Sequence, residues 1–277
     1  VFEMGRSKRV IPGFGITMGF SLLYLGLIVL IPLSILVMKG AGIGIGSFFN
    51  IIFQERVLHG YWVSFMCALI AGVSNSVFGI ILAWILVRYD FPLKRFVDGL
   101  IDLPFALPTA VAGIALTSLY SENGLIGQYL YSLGIKSAFS LFGITIALIF
   151  AGIPFVVRTI QPVLEDLDNQ YEEAAIMLGA SKMRIFFKVI FPEILPPLLA
   201  GFGLAFARGV GEYGSVVFIA GNMPMKTEIA PLLIMSKLEQ YDYNGATAIA
   251  LGMLLISFLI LFSINVIQWR LNKVKLI

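Results

Sequence analysis

Six long apolar stretches constrain this chain more than anything else in it. They run 14–38, 61–87, 103–120, 139–157, 198–220 and 246–269. At about 1.5 Å per residue, helices of these lengths approach or exceed the roughly 30 Å of a bilayer's hydrocarbon core. Backbone placed in hydrocarbon has to satisfy its own hydrogen bonds, which leaves helices or closed barrels. Unbroken apolar runs fit the helix. Composition agrees, with 59% hydrophobic and 13% charged residues, where ordinary soluble domains carry about a quarter charged. The expectation is an all-α integral membrane protein with six transmembrane helices. Arg6, Lys8 and Arg9 precede the first run, which is too long for a signal peptide's apolar core and lacks a small-residue cleavage site, so it is read as a retained span.

The distribution of Lys and Arg sets the topology. With six spans, thirteen of the 19 basic residues fall on one side, among them Arg88, Lys94, Arg158, Lys182, Arg184 and Arg270. Five fall on the other: Lys39, Arg56, Lys136, Lys226 and Lys237. Positive loops stay inside, which predicts cytoplasmic N and C termini. It also puts the interval 164–197 in the cytoplasm.

Several activities are disfavoured. One cysteine, Cys67, and one histidine, His59, allow no disulfide framework, metal cluster or Cys/His dyad. No G-x-x-x-x-G-K-[ST] occurs, so no P-loop is expected. The run Gly209-Val210-Gly211-Glu212-Tyr213-Gly214 matches G-x-G-x-x-G, but it lies in an apolar span and opens no βαβ unit. Close helix packing or an unwound turn explains it better. No catalytic residue, metal or cofactor of the chain's own is expected, and no nucleic acid.

The longest polar interval is 164–197. Asn169 is positioned to cap a helix whose early residues include Glu172 and Glu173, suited to the positive end of the helix dipole. Ala174 and Ala175 favour helix. Gly179 suits a left-handed stop. Ser181 is placed to cap a second short helix, and Pro192, Pro196 and Pro197 argue against its smooth continuation. Two short helices meeting at a glycine bend are expected.

Glu173-Ala174-Ala175, then Gly179, then Val189-Ile190-Phe191-Pro192 resembles the EAA loop of ABC importer permeases, with Val189 and Phe191 where Ile and Leu are commoner. The resemblance implies that this loop docks on an ATP-binding subunit, with Glu172, Glu173, Ala174, Ala175, Gly179 and Ala180 as the coupling residues. The stretches 103–113 and 208–214, and Ile153-Pro154-Phe155-Val156-Val157-Arg158 with Gln161-Pro162, are similar to the sulfate/thiosulfate (T subunit) branch. That branch implies a type I importer transmembrane core at 61–269. An N-terminal basic tail, extra span and outer loop would occupy 1–60, and a basic cytoplasmic tail 270–277. It further implies a paralogous W-type permease, two ATP-binding cassette subunits that bind ATP and Mg, and an extracytoplasmic sulfate/thiosulfate-binding protein, in the bacterial cytoplasmic (inner) membrane. A molybdate or tungstate permease is the nearest alternative. A gradient-driven secondary transporter is more remote, because the halves show no convincing inverted repeat.

Polar groups at membrane depth mark either a path or structural glue. Arg208 and Glu212, four apart, are expected to share a helix face and pair. They either line an anion path or clamp one span in its bundle. Pro104 and Pro108 free backbone carbonyls beside Thr109, which suits a path wall, a hinge or plain packing. Asn75 is a candidate path contact or interhelical glue.

Overall fold

The computed structural model describes residues 14–274. The basic residues Arg6, Lys8, Arg9 and Lys275 lie outside them. The described chain is all helical. α1 is Phe14–Gly42, with a wider π-type turn at Gly26–Leu30. α2 is Ile45–Ile52 and α3 Glu55–Arg88. Three short pieces follow: α4 Lys94–Ile101, α5 Leu103–Ala106 and α6 Thr109–Tyr120. After α7, Gly127–Ser132, comes the long α8, Leu141–Asp166. α9 is Asn169–Met177 and α10 Lys182–Val210. α11 Val216–Ile219, α12 Ala230–Glu239 and α13 Tyr243–Val274 complete the order.

Five of these, α1, α3, α8, α10 and α13, are long and apolar enough to cross a membrane. The expected third span departs from the prediction. It is broken between α5 and α6, leaving a 12-residue apolar helix. Leu107 is extended at ψ 135 and Pro108 at ψ 131. A residue before proline is pushed out of the α region, and proline itself fits best just ahead of a helix.

The prolines of α10 behave in the opposite way. Pro192, Pro196 and Pro197 sit within a helix that continues to Val210. A π-type turn at Phe186–Ile190 precedes them, with the Phe191 N–H bonded to the Phe186 carbonyl. The extra residue resets the ladder ahead of Pro192, where a missing N–H is tolerated. The expected break of this helix is therefore corrected. The outer loop expected after the first span, before residue 61, is also largely helical, in the end of α1, in α2 and in the start of α3.

α3, α8 and α10 form the centre. They pack tightly because small residues let backbones approach. A Cβ on Gly201 would lie 2.8 Å from the Val156 Cα, and one on Gly79 2.6 Å from the Val156 Cγ1. Val156 itself is fully buried. Around it Ile160, Ile190 and Ile194 build one apolar cluster, and Ile144, Phe206 and Ile219 build another. α13 joins through the Tyr61 hydroxyl, which donates to the Ile249 carbonyl at 2.7 Å. α1 lies outside this bundle. Its most apolar window has no buried residue, and Gly19 has no neighbour where a Cβ would stand. Its second half, Ile31–Gly42, lies against α13, where Leu251 occupies the space a Cβ on Gly40 would need.

The polar connections gather at the two ends of α3. At one end the Arg56 guanidinium grips Glu228 with two bonds, Nε to Oε2 at 2.7 Å and Nη2 to Oε1 at 2.6 Å. At the other, Arg88 pairs with Glu172 and stacks on Trp84, 5.5 Å from the ring centre. Nearby, Arg158 on α8 holds Asp98 at 2.6 Å and Asp102 at 2.6 Å.

Candidate functional site

The α9–α10 segment is built as a bent elbow on the Arg88 end of the bundle. Its helix is capped by Asp168 rather than Asn169: the Asp168 carboxylate accepts from the Gln170 N–H at 2.9 Å, and Asn169 is already the first helical residue. Both are good capping types, and the one-residue shift puts Glu172 in the first turn. Gly179 takes φ +73, the left-handed stop expected of it. The Ala180 N–H then bonds the Ala175 carbonyl at 3.0 Å, closing the helix end. Ser181 stands at the cap position of α10 without a side-chain cap bond.

The six coupling candidates divide into two faces. Glu172 turns inward to Arg88, and Ala175 and Ala180 pack on the apolar cluster around Ile160 and Ile190. Glu173, Ala174 and Gly179 turn outward. Beside them stand Met177 and Leu178, 89% and 88% exposed, with Tyr171, Ile176 and Met183. A soluble surface rarely leaves so contiguous an apolar patch uncovered, and such patches mark interaction sites. Met is adaptable enough to fill an irregular groove.

A second constellation lies inside the bundle. Pro104, Phe105, Leu107, Thr109, Phe150 and Arg208 are among the residues lining a cleft of about 260 Å³. Arg208 sits at depth, since the neighbouring Gly209 faces Ala68 of α3 and Leu148 of α8. It pairs with Glu212 as expected, but not along one helix face. α10 ends at Val210, and Glu212 stands on the turn beyond it. Gly211 and the residues after it unwind the chain, so the pair closes across a helix end. One oxygen of Glu212 accepts both the N–H and the hydroxyl of Ser215, each at 2.9 Å. The glycine run serves this turn: a Cβ on Gly214 would lie 2.9 Å from the Thr109 Cβ, and one on Gly113 2.8 Å from the Ser215 Cα. The start of α6 and the turn after α10 are thus pressed together at the cleft.

Of the interior candidates, the cleft gathers Pro104, Thr109 and Arg208 on its wall, with Pro108 between two lining residues and Glu212 behind Arg208. It does not gather Asn75. That amide is 1% exposed, wedged between α3 and α8 against Gly152, and neither of its polar atoms has a hydrogen-bond partner among the described residues. The Arg56–Glu228 and Arg158–Asp98–Asp102 pairings were not foreseen. Arg56 and Glu228 are 172 positions apart, and no local pattern joins them; an acidic residue in an apolar segment was the only cue.

The arrangement is a helical bundle with an interior cleft and an exposed apolar elbow, and comparison with known proteins says what kind. The family model for binding-protein-dependent transport system inner membrane components matches residues 75–273. The chain belongs to that family. Among curated relatives, the permease is 48% identical over 267 residues, 96% of each chain, to the sulfate transport system permease protein CysT of Salmonella typhimurium. It is 49% identical over the same share of each chain to CysT of Escherichia coli, and 47% identical over 248 residues, 90% of this chain and 87% of the relative, to that of Synechocystis. Among solved structures, a bacterial alginate ABC transporter in complex with an alginate pentasaccharide-bound periplasmic protein has a chain that superposes with a TM-score of 0.74. The superposition covers 94% of the permease and 95% of that chain at 14% identity. The inward-facing MetNI methionine ABC transporter gives 0.58 over 79% of the permease and 99% of that chain, at 19% identity. These structures share the fold. The permease is a multi-pass membrane transport component.

Proposed function

We propose that this permease carries sulfate across the bacterial cytoplasmic membrane as one subunit of an ATP-driven importer. The observation that carries the reading is near-full-length identity of about half to sulfate transport permeases. ATP-binding subunits power the movement, an extracytoplasmic binding protein delivers the anion, and a W-type paralogue forms the other half of the path. The permease contributes no ATPase site. Both termini and the Arg88 end of the bundle face the cytoplasm, in line with the bias of Lys and Arg.

The elbow is the point where force enters. Its exposed apolar face, Tyr171, Met177, Leu178 and Met183, suits a groove on an ATP-binding subunit. Its inner face, Glu172, Ala175 and Ala180, is tied to α3 and to the cluster around Ile160, so displacement of the elbow reaches two of the central helices. ATP binding then shifts the equilibrium between inward- and outward-facing states by the difference in elbow affinity between them.

Gly179→Pro and Glu173→Lys test this. Proline is locked near φ −65 and cannot take the +73 found at Gly179. Glu173 is exposed, so a lysine there disturbs a docking face and no core. Radiolabelled sulfate uptake in cells lacking the wild-type chain should fall at least tenfold in both variants, with membrane insertion intact. Unchanged uptake and unchanged sulfate-stimulated ATP hydrolysis in both would overturn the elbow's role.

A further inference from the structure

We propose that the cleft walled by Thr109 and Arg208 is a transit site for a tetrahedral oxyanion, and that Glu212 is a built-in competitor that keeps the anion's stay short. The proposal rests on the oxyanion permease reading above and goes beyond it, by assigning a position on the path and a role to each member of the pair.

The asymmetry of the pair is the first reason. The Arg208 side chain is 37% exposed and the Glu212 side chain 0%. An incoming solute therefore meets the cation and not its counter-charge. A pair whose purpose was only to neutralise itself would have no need to present one partner. Arginine's five donors lie in a planar fork, and the contact with Glu212 is made through Nη1, so the guanidinium keeps donor capacity for a second acceptor. That fork matches the geometry of a multi-oxygen anion.

The second reason is what stands opposite. α6 opens at the cleft with Thr109 as its first residue, and its cap position is Pro108, which supplies no side-chain acceptor. The first N–H groups of a helix and its dipole favour an anion. The break between α5 and α6, costly in a lipid-facing helix, brings that helix start to depth beside Arg208. Phe105 and Phe150 complete the wall, and no carboxylate lines it among the described residues. The lining therefore offers a cation no negative side chain, only the hydroxyls of Thr109 and Ser215.

The third reason is the fixed position of Glu212. Its Oε1 is held by two bonds from Ser215, and Ser215 is pressed against Gly113 of α6. Glu212 cannot follow Arg208 into the cleft, so it acts as a stationary anion that a passing dianion has to outbid. A transport site needs binding strong enough for entry and weak enough for exit. Competition from a fixed carboxylate sets that balance.

Glu212→Gln separates this from a purely structural clamp, because the amide oxygen still accepts from Ser215 while the charge is gone. Binding of radiolabelled sulfate to the purified whole complex in lipid nanodiscs, without binding protein, is the readout. Glu212→Gln should retain sulfate at least tenfold more tightly than wild type and turn over more slowly in proteoliposomes. Arg208→Gln should lose both retention and uptake, and Arg208→Lys should recover part of each, having charge without the fork. Unaltered retention in Glu212→Gln, or wild-type uptake in Arg208→Gln, overturns the cleft assignment. Loss of retention in a monodisperse, thermally stable Glu212→Gln complex overturns the competitor role in favour of a clamp. Wild-type proteoliposomes that import no sulfate at all would instead overturn the substrate reading on which the proposal rests.

Discussion

The two ends of α3 are both fastened by an arginine and a glutamate, yet they are fastened differently. At the Arg56 end both carboxylate oxygens are engaged and Glu228 is 2% exposed. At the Arg88 end the contact with Glu172 is made by partners whose side chains are 19% and 24% exposed, backed by the Trp84 ring. The first is a clamp on a buried charge. The second is a tether on the elbow, which the function proposed above makes the segment that an ATP-binding subunit moves. One rigid helix of 34 residues thus has a fixed end and a working end.

Breaking the clamp should have the largest effect on stability. Arg56→Ala leaves Glu228 buried without its counter-charge, a loss of about 3–5 kcal/mol for a buried pair, with the half-exposed Arg56 placing it near the lower figure. Thermal unfolding of the purified complex should shift down accordingly, and a shift no larger than that of a surface substitution would erase the contrast. Breaking the tether should do the reverse. Arg88→Glu should destabilise less than Arg56→Ala, because Glu172 keeps contact with solvent where Glu228 has almost none, while sulfate uptake drops at least fivefold. Adding Glu172→Arg to it should restore uptake, and no recovery in the double variant would mean the pair transmits nothing.

The smallest effect belongs to a third fastening, Lys237 to Asp242 at 2.9 Å, where α12 gives way to α13. The hydrogen bond from Lys237, then the one from the Gly245 N–H, hold the Asp242 carboxyl below its ordinary value. A carboxyl depressed in the folded state contributes stability that is present above its unfolded value, about 3.9, and is lost as pH falls through the folded one. Asp242→Asn should therefore lower thermal stability slightly at neutral pH and flatten the shallow decline below about pH 4, where the two proteins converge. An unaltered acid limb would show that this contact does not matter.

These contrasts show which features a sequence displays. Gly179 was legible because its role is local: a glycine after a helical run predicts a left-handed stop, and the φ of +73 follows. Five of the six expected spans were legible for the same reason, although their ends were not: the helix expected at 198–220 runs Lys182–Val210. The fate of the prolines was not legible. Pro104 and Pro108 break their segment while Pro192, Pro196 and Pro197 do not, because α10 is wedged between α3 and α8 with Ile194 and Leu198 buried, and tertiary packing overrides local preference there. The Arg208–Glu212 contact was anticipated from a spacing of four, yet it forms across an unwound turn rather than along a helix. Asn75 by type suited either a path contact or interhelical glue, and its buried position against Gly152 keeps it away from the cleft. Arg56 and Glu228 meet only once the whole bundle has assembled.

The wide turn at Phe186–Ile190 has a geometric consequence for the elbow. One surplus residue in a helix advances everything beyond it by roughly 100° around the axis. The Met183 face below the turn and the Ile194 face above it are therefore aimed by a phase offset as well as by sequence spacing. Deleting a single residue within that turn would leave the composition of both faces intact while swinging one past the other by more than a quarter of a revolution.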